Sequence, residues 1–142
     1  MNVLVDTSIW SLALRRRVVD LNGRERFLVA ELSELIRDGR PAMLGLIRQE
    51  LLSGIKNPTQ FENLRKTLRA FPDEPVDTAD YEAAARGGNE CRAKGIAVSV
   101  VDMLICAVAQ RLGMPVFTTD PDFERYARIL RVNLHLAPDG RR

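Results

Sequence analysis

The sequence has few of the side chains on which nucleophilic catalysis and transition-metal binding depend. Its 142 residues include one histidine, His135, and two cysteines, Cys91 and Cys106. The cysteines do not form a C-x-x-C pair, so neither a zinc site nor a disulfide framework is indicated. A single histidine also disfavours Ser–His and Cys–His catalytic pairs and Cys/His metal clusters.

Long hydrophobic runs and a large charge of either sign are lacking as well. No stretch approaches the roughly 20 apolar residues of a membrane span. The short apolar run near the N-terminus stops at Asp6, so it does not resemble a signal peptide. We therefore expect a cytoplasmic protein without membrane association. The net charge of +2 gives little reason to infer nucleic-acid binding from global charge alone.

Aliphatic side chains are plentiful enough for a folded core. Hydrophobic residues make up 46% of the sequence and aromatic residues only 6%, so aliphatic side chains must fill the interior. The length fits one domain of ordinary size. We predict a single folded domain over residues 1–136. Residues 137–142 are predicted to form a flexible tail, because chain ends fray unless contacts hold them.

Short apolar runs alternate with helical patterns along the chain. Strands are predicted at residues 3–5, 41–44, 114–118 and 132–136, and the strongest helix at residues 99–112. The pair Gly87–Gly88 predicts a kink or break in another helix, because each glycine costs about 1 kcal/mol relative to alanine. The alternation predicts an α/β fold with a mostly parallel central sheet of four or five strands and helices on both faces.

Acidic residues follow two of the predicted strands. Asp6 comes directly after the first strand, and Asp120 comes just after the third. A carboxylate next to a buried strand is costly unless something uses it. Ligands bind at the carboxyl ends of parallel strands, so the two acids would share one sheet edge if their strands are neighbours. Each acid alone also has a structural interpretation, as a turn or helix-capping residue.

Two further acids lie in mostly apolar helical stretches. Glu50, in LIRQELLSGI, is predicted at the margin of a buried face, and Asp102, in SVVDMLICAVA, in the first turn of a helix. Taken alone, Glu50 is an ordinary solvated residue, and Asp102 fits a capping box that begins at Ser99. Purely structural explanations would require four independent coincidences, so we interpret the four acids as one candidate site.

Four sequence blocks containing these acids resemble the PIN-domain nucleases: VDTSIW, RQELLSG, GIAVSVVDMLICAVA and VFTTDPDF. They occur in the family's order, cover nearly the whole chain, and most resemble the VapC-type toxins of type II toxin–antitoxin pairs. The resemblance implies a PIN-like three-layer α/β sandwich. It also implies that the acidic cluster of the family corresponds to Asp6, Glu50, Asp102 and Asp120.

The resemblance has further implications for the site and its partners. Asp122 is expected to act as an auxiliary acid, and Ser8 and Thr118 to supply hydroxyls that line the site. The implied substrate is RNA. The implied protein partners are a cognate VapB-like antitoxin, whose segment covers the site, and a second copy of the chain in a homodimer.

Crowded carboxylates need either protons or a cation. One pair about 4 Å apart costs roughly 4 kcal/mol at an effective dielectric constant near 20, so such a cluster protonates in part or binds a hard divalent ion. Oxygen ligands favour Mg²⁺, with Mn²⁺ as an alternative. We expect Asp6 and Asp102 to be direct ligands, with Glu50, Asp120 and Asp122 holding metal-bound waters or a second ion. The predicted reaction is hydrolysis of RNA phosphodiester bonds without a covalent intermediate.

Two features near the first helix allow more than one interpretation. The run Arg15, Arg16 and Arg17 is a candidate for contacts to RNA phosphates, or else a solvated helix end. Trp10, the only tryptophan, lies either in the core or, with other apolar residues of that helix, in a groove for an antitoxin.

Other classes of protein also place an acidic residue after a strand, and the sequence fits them less well. A phosphatase of the haloacid-dehalogenase type needs a second aspartate two residues after Asp6, where this chain has Ser8. A receiver-type phosphoacceptor is disfavoured because no lysine is suitably placed after a strand. Two alternatives keep the PIN fold: a nuclease of RNA maturation or decay without an antitoxin, and a non-catalytic metal- or RNA-binding module.

Overall fold

The central sheet of the computed structural model, which describes residues 1–136, consists of three short parallel strands. They are β1 (Val3–Val5), β2 (Pro41–Ala42) and β3 (Val116–Phe117). Their order is β2–β1–β3, with Val3 opposite Pro41 and Leu4 opposite Val116. Because β1 is the middle strand and is completely buried, its carboxyl end lies between the ends of the other two strands. The predicted tail at residues 137–142 lies outside the described residues.

Seven α-helices accompany the sheet within residues 1–136. They are α1 (Thr7–Leu14), α2 (Gly23–Arg37), α3 (Gly45–Leu52), α4 (Pro58–Leu68), α5 (Thr78–Ala93), α6 (Val100–Leu112) and α7 (Asp122–Leu130), with a 3₁₀ turn at Val18–Asp20. Their contacts fall into two groups, α1 to α4 and α5 to α7. The predicted α/β class with a parallel sheet and flanking helices is confirmed. Of these helices, none combines the length and apolar character needed to cross a bilayer.

The sheet has fewer strands than the predicted four or five. In place of the strand predicted at residues 132–136, the chain makes one isolated bridge between Leu134 and Val116. Val116 donates to the Asn133 carbonyl and accepts from the His135 amide, both at 2.8 Å. The predicted strand count was therefore wrong in the described residues, because this edge segment pairs at a single position and does not extend into a ladder.

Helix α5 runs through Gly87 and Gly88 as one continuous helix, so the predicted break does not occur. A Cβ atom at Gly87 would lie 3.4 Å from both methyl groups of Leu130 in α7. A Cβ atom at Gly88 would lie 3.5 Å from the Met103 side chain in α6. Close packing of α5 against both neighbours offsets the poor helix propensity of the two glycines.

Trp10 lies in the core and not at a surface groove. Its side chain is fully buried, and its Nε1 donates to the Val5 carbonyl at 3.1 Å. The indole ring packs against Phe71 with a centroid separation of 4.9 Å. Ile9 and Leu12 are buried as well. These three residues of α1 therefore offer no exposed apolar surface to a partner, and the groove interpretation was wrong for them.

An ion pair between the buried carboxylate of Asp80 and the exposed guanidinium of Arg111 joins α5 to the end of α6. Asp80, which is 3% exposed, accepts from Arg111 Nε at 2.6 Å and Nη2 at 3.0 Å. The Arg111 guanidinium holds the pKa of Asp80 below its usual range. The same arginine donates to the Pro75 carbonyl at 2.9 Å, and Asp80 accepts from the Asp77 amide at 3.1 Å. One guanidinium thus fixes the start of α5 against the last turn of α6.

Replacing Arg111 by Met should destabilise the protein by about 2–3 kcal/mol at neutral pH, because it leaves a buried carboxylate unpaired. The folded-state pKa of Asp80 is lowered, so the stabilisation is present above the unfolded-state pKa and is lost as the pH falls through the folded-state value. Urea unfolding from pH 7 towards pH 3 should therefore show a shrinking difference between Arg111→Met and wild type. Arg37→Met, which removes an exposed ion pair with Glu34, serves as the control. A pH-independent difference would contradict the electrostatic role.

Candidate active site

Asp6 is a buried carboxylate between the end of β1 and the start of α1. The residue is 7% exposed and occupies the N-cap position of α1, yet its side chain makes no capping hydrogen bond. Its Oδ2 instead accepts hydrogen bonds from Ser8 Oγ and Thr118 Oγ1, both at 2.8 Å. The helix-capping explanation for this acid therefore fails. Both residues predicted to line the site with hydroxyls, Ser8 and Thr118, donate hydrogen bonds to its carboxylate.

Hydroxyl groups connect the carboxyl ends of β1 and β3. Ser8 Oγ lies 3.3 Å from Thr118 Oγ1 and accepts from the Thr119 amide at 3.0 Å. Thr118 Oγ1 also accepts from the Asp120 amide at 3.0 Å. The loop after β3 is thus tied to the loop after β1, as the adjacency of the two strands allows. This network positions the backbone of Asp120 beside Asp6.

Asp120 and Asp122 differ in their surroundings although they are two residues apart. Asp120 Oδ1 accepts from the Asp122 amide at 2.9 Å, which is a turn contact at the start of α7. The Asp122 carboxylate forms an ion pair with Arg125 one turn along that helix. Asp122 is therefore already partnered by a cation.

Glu50 is an exposed residue of α3, and its carboxylate is hydrogen-bonded to the first residue of α1. Its Oε1 accepts from Thr7 Oγ1 at 2.7 Å. Thr7 is the first residue of α1 and directly follows Asp6. The sequence analysis missed Thr7 as a site residue, because its partner lies 43 residues away and nothing in the local pattern signals the pairing.

Asp102 lies in the first turn of α6, and Ser99 caps that helix by accepting from the Asp102 amide at 3.0 Å. Burial, and then the charge of Asp6, raises the pKa of Asp102 to about 6. The charges of Asp120 and Glu50 raise it further, while the Ser99 hydroxyl acts in the opposite direction. The structure therefore brings the other three predicted acids within electrostatic range of Asp102, and Ser99 caps the helix in the same arrangement.

Two other ionisable groups adjoin the four acids. Burial, followed by the charges of Asp102 and Asp122, raises the pKa of Tyr126 to about 12, and its hydroxyl donates to the Ala97 carbonyl at 3.3 Å. Burial and the charge of Asp102 raise the pKa of the Cys106 thiol. Neither group ionises near neutral pH, so Cys106 does not provide a thiolate nucleophile.

The side chains around Asp6 and Asp102 offer carboxylate and hydroxyl oxygens as ligands for a metal ion. No three Asp, Glu, His or Cys side chains of that range are already arranged as a metal-binding group. Mg²⁺ is commonly held by one or two carboxylates and retains several waters, so this donor set fits it without a complete protein cage. Asp6 and Asp102 are the residues that could hold such an ion directly.

The three consecutive arginines after α1 are not equivalent. Arg17 Nε lies 3.2 Å from an Asp20 oxygen, and Arg16 Nη1 lies 3.7 Å from Glu25 Oε2. Arg15 forms no ion pair with any residue in the described range 1–136. Of the three predicted phosphate contacts, Arg15 is therefore the one whose charge is not already shared with an acid.

Comparison with known proteins agrees with the fold and the site geometry. The PIN-domain family model matches residues 3–129. A VapC ribonuclease of Mycobacterium bovis and ribonuclease VapC11 of Mycobacterium tuberculosis are each 33% identical over 131 residues, covering 89% of this chain and 92% of theirs. The chain therefore belongs to the PIN-domain family, and these relatives within the family are VapC ribonucleases.

Solved structures from other bacteria have the same fold. The crystal structure of FitAcB from Neisseria gonorrhoeae has a TM-score of 0.73 at 21% identity and covers 93% of this chain and 95% of that one. VapBC2 from Rickettsia felis, bound to a DNA fragment from its promoter, has a TM-score of 0.73 at 18% identity, covering 95% and 98%. At these identities, the likeness shows the PIN fold.

Replacing Asp102 by Asn should stabilise the metal-free protein at high pH. The folded-state pKa of about 6 exceeds the ordinary aspartate value of 3.8, so ionised Asp102 destabilises the fold as the pH rises through this interval. In EDTA, we expect Asp102→Asn to raise the free energy of unfolding by about 1–2 kcal/mol at pH 8 and to leave it unchanged near pH 3.5. Asp122→Asn, at an acid already paired with Arg125, is the control. A less stable Asp102→Asn protein at pH 8 would contradict this assignment.

Proposed function

We propose that this protein is a metal-dependent endoribonuclease that hydrolyses RNA phosphodiester bonds at the cluster of Asp6, Glu50, Asp102 and Asp120. The main support is the placement of these acids around Asp102, where burial, followed by the charges of Asp6, Asp120 and Glu50, raises the pKa of Asp102 to about 6. Membership in the PIN-domain family and the similarity to ribonucleases of the VapC type also support it.

Individual residues of the chain have different roles in such a site. Ser8 and Thr118 both donate to Oδ2 of Asp6 and so fix the orientation of that carboxylate. Oδ1 of Asp6, which has no hydrogen bond within residues 1–136, is then the oxygen available to a metal ion. Asp102 would be the second direct ligand. A bound Mg²⁺ or Mn²⁺ would activate a water molecule and neutralise charge on the scissile phosphate.

The remaining acids act from the margin of the site. Thr7 holds the exposed Glu50 carboxylate next to the start of α1, where it can accept a proton or orient a metal-bound water. Asp120 is positioned through the Thr118 hydroxyl and adds negative charge near Asp102. Asp122 contributes less negative potential, because Arg125 is paired with it.

Asp6→Asn and Asp102→Asn should each lower the rate of RNA cleavage by at least about 100-fold while the fold persists, because each removes a charge that the reaction needs. The measurement is cleavage of a single-stranded RNA with Mg²⁺, with circular dichroism as the check on folding. Asp38→Asn, at the exposed end of α2, is the control and should retain activity. Full activity in either variant would remove that acid from the site.

Removal of the metal ion distinguishes an enzyme from a non-catalytic binding module. We expect cleavage with Mg²⁺ and none with EDTA, and we expect Mg²⁺ to raise the melting temperature of wild type more than that of Asp102→Asn. Stabilisation by Mg²⁺ without any cleavage would favour the non-catalytic metal- or RNA-binding alternative.

We also propose a cognate antitoxin as partner, supported by the assemblies among the structural neighbours, such as the toxin–antitoxin complex from Klebsiella pneumoniae. Since Ile9, Trp10 and Leu12 of α1 are buried, these side chains do not supply the docking surface. Val18 and Val19 in the 3₁₀ turn are 66% and 72% exposed, and Phe27 on α2 is 48% exposed. We propose that these exposed apolar residues contribute to the docking surface. The homodimer and the cytoplasmic location stay predictions.

Val19→Asp should weaken inhibition by an antitoxin by about tenfold, because a charge would have to be buried in the interface. The measurement is inhibition of RNA cleavage by the product of a neighbouring gene that encodes a small DNA-binding protein. Ile36→Asp, at the far end of α2, is the matched control. If no neighbouring product inhibits wild-type cleavage, a nuclease of RNA maturation or decay without an antitoxin becomes the better assignment.

A further inference from the structure

We propose that a polar groove between α1 and α4 binds single-stranded RNA beside the cleavage site and reads one of its bases. The groove, called here the α1–α4 groove, has a volume of about 710 Å³. It is lined by Leu14, Arg15, Gly54, Ile55, Lys56, Asn57, Gln60, Asn63, Leu64 and Thr67. This inference rests on the proposed function and adds to it the place and chemistry of substrate recognition.

The charge of the α1–α4 groove suits a phosphate backbone. Arg15 and Lys56 are both exposed, and neither forms an ion pair within residues 1–136. No acidic residue lines the groove. By contrast, the neighbouring Arg16 and Arg17 already contact acids. Two unshared positive charges facing one concave surface are typical of contacts to nucleic-acid phosphates.

Side-chain amides in the groove supply the groups that read a base. Gln60 and Asn63 are three residues apart on α4 and therefore lie on one face of the helix. Both are exposed, and neither side-chain amide has a hydrogen bond within residues 1–136. An amide offers donors and an acceptor together, which matches the edge of a base such as adenine. The third amide, that of Asn57, is occupied in capping α4.

The α1–α4 groove and the acidic cluster are connected by α1 and by the segment that follows α3. Thr7, at the start of α1, holds Glu50, and Arg15 follows eight residues later, about 12 Å along the helix. Gly54 and Ile55 of the groove come about one helical turn after Glu50. An RNA strand positioned at the acids can therefore continue into the groove within a short distance of the scissile phosphate.

The lining favours RNA over a protein segment as the occupant. Its apolar part is limited to Leu14, Ile55 and Leu64, on which one base can pack. The exposed apolar residues that would suit a protein partner, Val18 and Val19, lie outside it. One outcome of the experiments below would assign the groove to a protein partner instead.

The first experiment measures RNA binding in an Asp6→Asn background, so that the RNA stays intact. The probe is a short fluorescent single-stranded RNA of mixed sequence. Arg15→Gln combined with Lys56→Gln should weaken binding about tenfold and reduce the slope of log Kobs against log salt by about 1.4, since each phosphate contact contributes about 0.7. Lys66→Gln, on α4 but outside the groove lining, is the matched control and should change neither value.

The second experiment maps RNA ends produced by the active protein. Gln60→Ala and Asn63→Ala should each reduce the nucleotide preference beside the cut, measured as the ratio of cleavage rates on preferred and least preferred substrates, by about tenfold. Thr59→Ala, also on α4 and outside the lining, should keep the wild-type preference. Melting temperatures within the wild-type range establish that these surface variants are folded.

Each outcome supports or overturns the groove assignment. If wild type cuts RNA and the Asp6→Asn protein binds it, an unchanged affinity and salt slope in the groove variant would overturn this inference alone. Loss of inhibition by a protein partner with unchanged RNA affinity would assign the groove to that protein. If wild type cuts no RNA and the Asp6→Asn protein binds none, the proposed function fails together with the groove.

Discussion

The buried charge of Asp6 is the constraint around which the site is organised. Its carboxylate lies at the end of the middle strand and is held by the hydroxyl groups of Ser8, in the first turn of α1, and Thr118, in the loop after β3. A buried carboxylate is tolerated only when such donors or a cation accompany it. The strand order β2–β1–β3 is what brings the loop carrying Thr118 next to Asp6.

The same concentration of negative charge opposes folding. Burial and the charge of Asp6 raise the pKa of Asp102 to about 6, so the ionised site destabilises the metal-free protein. Contacts elsewhere offset this cost. The Asp80–Arg111 pair and the close approach of α5 at Gly87 hold α5, α6 and α7 together, and α6 carries Asp102. The metal-binding chemistry we propose would relieve the repulsion that the fold sustains without an ion.

A net charge of +2 hides a marked local separation of charge. Four acids meet at one end of the sheet, while many arginines are already paired with acids of their own, as Arg17 is with Asp20. The cations without ion-pair partners in the described residues include Arg15 and Lys56, both in the α1–α4 groove. The substrate recognition that we propose therefore depends on which cations lack ion-pair partners, and overall composition does not reveal this.

The sequence by itself determined the α/β class, the family and the identity of the four acids, because strand ends, helix periodicity and short motifs are local patterns. Only the tertiary structure decided that Trp10 belongs to the core, that Gly87 lies within an uninterrupted helix, and that Thr7 holds Glu50. The edge segment around Leu134 likewise became a single bridge instead of a strand. Each of these outcomes depends on contacts between residues far apart in the chain, whose free energies exceed local propensities and leave no local signal.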